Sequence, residues 1–363
     1  MSRNPAIDIL RGLLLLLMTM AHLPTVWSAY FGQPVGFISA AEGFVFLSAF
    51  LAGKVFVEQQ ARRGIDAATR WVYLRALRLY LVHLALLVIA FTVIAWIAVQ
   101  YQRPAVRNLL DLYLQSPRKA IVNSAVLLYQ PPLLDILPMY IVFLVGTAFI
   151  MRVTLRWGWR WVLCGSVLVW VGAQFGLRAA FHSTIQRLTG WDLPLNATGA
   201  FDLFAWQLLW VLGLWFGALG FDKTRTILAS SRTAVQLALA VSCIMFIWRH
   251  YAGPAGFSDP TWHLLWVDKW SLSAVRLVNL ASIVFVLIGF GDALRRRFSL
   301  RLPPIEALGR ASMWVFAAHI GSVLFLLCLV GQDDQPLGGA MGLLVISLGY
   351  LALFAAAAAY RRR

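Results

Sequence analysis

The chain has 363 residues, of which 61% are hydrophobic, and a mean hydropathy of +0.75. That excludes a soluble globule and predicts an integral membrane protein. The formal net charge of +16 would suit nucleic acid, but the basic residues stand in short clusters between apolar spans. Such clusters set membrane topology and attract anionic lipid, so the expected partner is the lipid bilayer and no nucleic acid.

The first stretch, Asn4 to Glu58, reads as a transmembrane helical hairpin that carries chemistry. Its arms are Asp8–Trp27 and Gly36–Phe56, and each is long enough for a bilayer, which needs about 20 mostly apolar residues. Yet the arms hold Asp8, Arg11, His22 and Glu42, and ionisable groups at membrane depth usually mark function. At 100° per residue, Arg11 and His22 lie about 20° apart around the helix and about 16 Å apart along it. Asp8, three residues before Arg11, can pair with it on that face. Glu42 falls about as far from the intervening turn as His22, so the two are expected to meet and the carboxylate to orient the imidazole as a general base. The small residues Gly36, Ala40, Gly43, Ala49 and Gly53 would let the second arm approach the first closely. The plainer alternative is that His22 and Glu42 only satisfy each other and hold two helices together.

The chain then continues as apolar spans separated by basic segments. Glu58–Arg78, with Arg62, Arg63, Arg70, Arg75 and Arg78, precedes a third span over Leu79–Val99. A long loop from Gln100 to Asp135 leads to a fourth span, Leu137–Met151, and a fifth, Trp161–Leu177. The sixth to tenth spans are read at Phe201–Phe221, Thr233–Trp248, Leu272–Phe290, Ala307–Val330 and Gly338–Tyr360. No polar domain interrupts them, so the chain is read as one all-α polytopic domain, residues 1–363, with about ten transmembrane helices. No removable leader is expected, because the first span is too long and lacks a small-residue cleavage site. Ten spans bring both termini to one side, and the positive-inside rule makes that side the cytoplasm. Cys164, Cys243 and Cys328 lie in different spans without CxxC spacing, so neither a metal site nor a disulfide framework is expected.

Outside the hairpin the candidates are weaker. Arg75 and Arg78 could grip phosphates of a soluble donor through charge-assisted hydrogen bonds, although the positive-inside rule alone accounts for most such arginines. The segment Leu127–Tyr140 (LLYQPPLLDILPMY) places Tyr129, Gln130, Asp135 and Tyr140 around helix-breaking prolines. Irregular backbone at membrane depth is tolerated only where it is buried or lines a cavity, which suits an acceptor-binding wall. Gln207 and Trp210 are a sugar-contacting pair or ordinary interfacial residues. His319, midway along the ninth span, lines the cavity or packs, and Asp202 and Glu306 read as interfacial. His263 and Asp268 make an HxxxxD spacing, but with 6 His and 15 acidic residues in the chain chance supplies such pairs readily. There is no GxSxG elbow, HExxH or P-loop.

Three stretches together resemble a known family. Asp8–Gly12 with the Arg11-x10-His22 spacing resembles the membrane acyltransferase family 3. The stretches AAEGFVFLSAFLAG (Ala40–Gly53), YQPPLLDILPMY (Tyr129–Tyr140) and LGRASMWVFAAHI (Leu308–Ile320) resemble its OpgC-type branch, associated with succinylation of osmoregulated periplasmic glucans. The resemblance implies a bacterial inner-membrane enzyme with no permanently bound cofactor. It would use a cytoplasmic acyl-CoA, succinyl-CoA above all, as co-substrate and a hydroxyl of a periplasmic glucan or other glycan as acceptor. His22 would be its catalytic histidine, with Arg11 positioning the donor. Transfer is then direct, with His22 as base, or passes through a covalent acyl-His22. A transporter that moves a glycan or lipid-linked sugar unmodified is the rival from another class, although such proteins often carry internal repeats and none is visible.

Overall fold

The computed structural model describes residues 5–221, 223–224, 226, 231–252, 266–298, 302–330 and 335–362. His263 lies outside them. Among the described residues the architecture is all-α, with one isolated parallel bridge between Thr25 and Leu337 in place of any sheet. Nine helices are long and apolar enough to cross a membrane, or ten if one bent pair is counted as a span.

Helix α1 is Pro5–His22 and stops just before Pro24; the short α2 (Ser28–Gly32) follows in the turn. Helix α3, Ala40–Arg63, is started by a capping box at Ser39. Glu42 Oε2 accepts from the Ser39 backbone N–H at 2.9 Å and from its hydroxyl at 2.5 Å. The third span is longer than the hydropathy suggests. Helix α4 (Ile65–Ile89) passes through a π-turn at Ala90–Ile94 into α5 (Ala95–Gln100), a continuous run of 36 residues. The basic segment read as a connector is therefore the first four turns of a helix, which is how Arg75 comes to face the interior.

The long loop folds into α6 (Pro104–Leu109), α7 (Asp111–Gln115) and α8 (Pro117–Ala125). Helix α9 is Ile136–Trp157. The fifth span is broken: α10 (Trp159–Gln174) and α11 (Leu177–Thr189) meet at 80° across Gly176, which is in the left-handed region. Then come α12 (Leu203–Leu219), α13 (Arg232–Ile247) and α14 (Ala274–Phe298). The ninth span splits in two, because Pro303 and Pro304 open a separate helix, α15 (Pro303–Arg310), before α16 (Ser312–Val330). Helix α17 is Gly339–Arg361.

Packing corrects the expected role of the small residues on α3. Gly43 does face α1, against Leu14, but Ala49 and Gly53 face α12, where they meet Gly213 and Leu214. A Cβ at Gly53 or Gly217 would strike backbone of the opposite helix, so this contact exists only because side chains are missing on both sides. Helix α1 takes its own close partner from far along the chain. Gly12 lies against the Ile305 carbonyl, and Gly309 against that of Asp8. The loop after α1 is pinned to the approach to α17, with Val26 N–H donating to Leu337 O at 3.0 Å and Leu337 N–H to Pro24 O at 2.9 Å.

Candidate active site

Two polar centres stand at the two ends of α1. At its start Arg11 donates to the Ser312 hydroxyl, while Asp8, nearly buried, lies 3.8 Å from Arg310, which also pairs with Glu306. Arg11 opens into a narrow slot walled by α1, α3, α4, α9 and α16. Arg75 shares that slot and donates to the Tyr140 hydroxyl at 2.8 Å. Arg78 is exposed on the outside of α4 and does not line it. Beyond the arginines the walls become apolar, with Val45, Leu79, Ile136 and Leu137, and Phe44 and Phe316 stack across the slot at 5.6 Å between ring centres.

Phe316 leads to the second centre. Its ring lies 5.8 Å from that of His319, and His319 Nε2 is 3.3 Å from His22 Nδ1. His319 Nδ1 is in turn 3.1 Å from the Thr19 hydroxyl, which donates to the Leu15 carbonyl at 2.8 Å. Those bonds fix the tautomers. A hydroxyl has one hydrogen, and the carbonyl can only accept it, so Thr19 Oγ1 accepts from His319 Nδ1–H. His319 Nε2 is then an acceptor and takes the hydrogen of His22 Nδ1. The lone pair of His22 Nε2 is left as the one basic position of the chain of bonds.

Glu42 is not the partner of His22. Its Oε1 accepts from Arg276 Nε at 2.8 Å and from Arg276 Nη2, a fully buried ion pair, while its Oε2 serves Ser39. The turn does bring Glu42 to the His22 end, but an arginine on α14 is the stronger partner for a buried carboxylate. Helix α14 also supplies Asn279, whose Oδ1 accepts from Phe37 N–H at 2.7 Å and holds the loop before α3.

Lys269, which sequence reading passed over, sits in the loop before α14. Its charge reaches His22, Glu42, Arg276 and Asp135. Its amino group lies over the Trp270 and Phe201 rings at 4.7 and 5.9 Å. Burial lowers the affinity of this lysine for its proton. Asp268 shapes the turn that presents it, accepting from Ser271 N–H at 2.7 Å. Nothing in the short segment WVDKW distinguishes Lys269 from an interfacial cation before the fold is known.

The other sequence-selected residues divide. Asp135 stands just before α9 without a side-chain capping bond, accepts from Ala200 N–H at 3.2 Å, and is pushed by burial up to about 6. Tyr129 is buried and stacked near Phe91, and Gln130 donates to Leu127 O and receives Gly199 against its side chain. Gln207 binds Ser166 with both its amide atoms, at 2.7 and 2.8 Å, and so ties α12 to α10. Trp210 donates to Thr147 at 2.9 Å and packs edge-on against Tyr140, holding the tyrosine that Arg75 reaches. Among the described residues, no three His, Cys, Asp or Glu side chains gather as a metal site requires.

The arrangement defines a class: a multi-pass membrane protein whose buried slot runs from guanidinium groups at one end toward a bonded pair of histidines. The chain matches the family described as OpgC protein over residues 3–363 and belongs to it. Membership of that family points to a transferase role in glucan modification. No curated protein and no solved structure matches the chain.

Proposed function

We propose that the protein is an O-acyltransferase of the bacterial inner membrane that moves a succinyl or related acyl group from cytoplasmic acyl-CoA to a hydroxyl of a periplasmic glucan. The observation that carries this reading is the line of groups from the slot to the histidine pair. Arg11 and Arg75 sit at one end, Phe316 closes the other, and the next rings are His319 and His22. Two guanidinium groups suit the phosphates of a nucleotide-bearing donor, and apolar walls suit the arm that carries a thioester.

The chemistry then follows from the bonded histidines. A glucan hydroxyl gives its proton to His22 Nε2 while its oxygen attacks the thioester carbonyl carbon. The carbon–sulfur bond breaks, and the thiolate leaves with the proton that His22 took up. His319 holds His22 in the tautomer that leaves Nε2 basic, and Thr19 holds His319. Glu42 acts through structure, as the counter-ion of Arg276. Lys269 makes the surroundings of His22 positive, which favours an acyl group with a second carboxylate. Asp135, Tyr129 and Gln130 form the wall met by the acceptor, whereas Gln207 and Trp210 support that wall from behind.

The test is release of free CoA thiol by the purified protein given succinyl-CoA and a glucan. Glucan-dependent thiol release, lost in His22→Ala, is the expected result. A protein that consumes no acyl-CoA under those conditions but carries glucan across vesicle membranes is a transporter, and the reading falls.

A further inference from the structure

We infer that His83 is a catalytic residue of the proposed reaction, donating a ring N–H to the thioester oxygen as it becomes negative. The inference rests on the acyl-transfer reading above and adds a residue that reading does not use. His83 lies toward the outer half of α4, is fully buried, and among the described residues has no hydrogen-bond partner at either ring nitrogen. A buried polar group left unbonded is destabilising, so a histidine with two such atoms at membrane depth calls for a reason.

Its position supplies one. Leu79, which lines the slot, is one turn before His83 on the same helix, about 40° around and about 6 Å back along the axis. Arg75, at the guanidinium end, is one turn earlier again. Helices α4 and α16 run alongside each other and come together at two levels. Leu79 shares the slot with Met313, and further along both helices Cys328 Sγ meets the Ile94 carbonyl at 3.7 Å. Between those levels His83 lies one turn beyond Leu79, as Ala317 lies one turn beyond Met313, in the stretch of α16 that carries Phe316 and His319. On its other flank, Tyr80 donates to the Ala125 carbonyl at 2.8 Å, at the head of the segment leading to Tyr129 and Asp135. Beside it the hydroxyl of Ser124 is also buried without a partner. His83 therefore lies one turn beyond the slot-lining Leu79, between the slot wall and the segment that leads to the acceptor wall.

At that place a neutral imidazole can do what neither His22 nor His319 can, since their bonds are committed to each other. When the acceptor oxygen attacks, the carbonyl π electrons move onto the thioester oxygen, and a preplaced N–H stabilises the charge there. The electrons return when the carbon–sulfur bond breaks, and His83 keeps its proton throughout. A group that bonds only during reaction is unbonded at rest.

The experiment compares His83→Met and His83→Gln in the full-length protein, two unbranched replacements of which only Gln carries an N–H. Thiol release is measured with saturating succinyl-CoA and glucan, and melting temperature in the same detergent. The expected result for Met is a melting temperature at or above that of the unsubstituted protein and a kcat about 10²–10³-fold lower, with the KM for succinyl-CoA within about three-fold. Gln should recover at least ten-fold of the lost kcat. A Met variant as active as the unsubstituted protein would overturn the inference, as would Met and Gln variants of equal activity. So would a Met variant that melts far lower, because the ring nitrogens would then be holding the bundle together. If the unsubstituted protein releases no thiol, the acyl-transfer reading itself has failed, and the two failures are distinct.

Discussion

The two polar pairs at the outer turn of the hairpin look alike in sequence and differ in what their bonds leave over. Glu42 and Arg276 are both wholly buried, and each oxygen of the carboxylate has a donor. His22 and His319 are joined by a single bond, backed by Thr19, with one basic nitrogen remaining. The first pair holds α3, α14 and the loop between α1 and α3 in place. The second keeps an atom in reserve for chemistry. An ionisable residue at membrane depth is thus a candidate for function, and the partner it is bonded to bears on whether it acts or supports.

That contrast can be broken at several points. The largest effect is expected from His22→Ala, which removes the base and should lower acyl transfer by about 10²–10⁴-fold with little change in melting temperature. Arg276→Met should do the opposite. It leaves a buried carboxylate uncompensated and costs about 3–5 kcal/mol of stability, while the double variant Glu42→Met, Arg276→Met should melt well above that single one. If Glu42→Gln instead kept its melting temperature and lost its activity, the pair would be chemical and the contrast wrong. His319→Phe removes a hydrogen bond to a ring that becomes charged, worth about 1.5–3 kcal/mol, so kcat should fall about 10–100-fold. Arg75→Gln should act at the far end of the slot, raising the KM for succinyl-CoA by about ten-fold through a charge-assisted contact of about 1.5 kcal/mol and sparing kcat.

The smallest effect concerns pH. Burial raises the Asp135 carboxyl from its ordinary range to about 6, so the folded protein holds this proton more tightly than the unfolded chain. Stability from this group is therefore greatest below about pH 4 and is lost as pH rises toward 6. Asp135→Asn should flatten that part of the melting-temperature profile. An unchanged slope would mean that another group sets it.

Much of the bundle was legible because its signals are local. Span-length apolar runs and the shared face of Arg11 and His22 each lie within a few turns of chain. What the sequence concealed is pairing between distant segments. The partner of Glu42 is 234 residues away, and that of His22 is 297 away. Ala49 and Gly53 advertise a close helix contact without saying that α12 is the helix in question. The fifth span reads as straight because Gly176 bends it through a single backbone conformation that hydropathy does not record. His83 is an ionisable residue within the third span, a signal that sequence reading passed over; what singles it out is the absence of hydrogen-bond partners among the described residues of a folded interior.

The account stands or falls on acyl transfer at His22. Periplasmic glucans from cells carrying the unsubstituted protein, His22→Ala or no protein can be compared by mass spectrometry. The account predicts a succinyl-ester mass only in the first. Identical glucans in all three, or esters that survive in His22→Ala and vanish only without the protein, would contradict it.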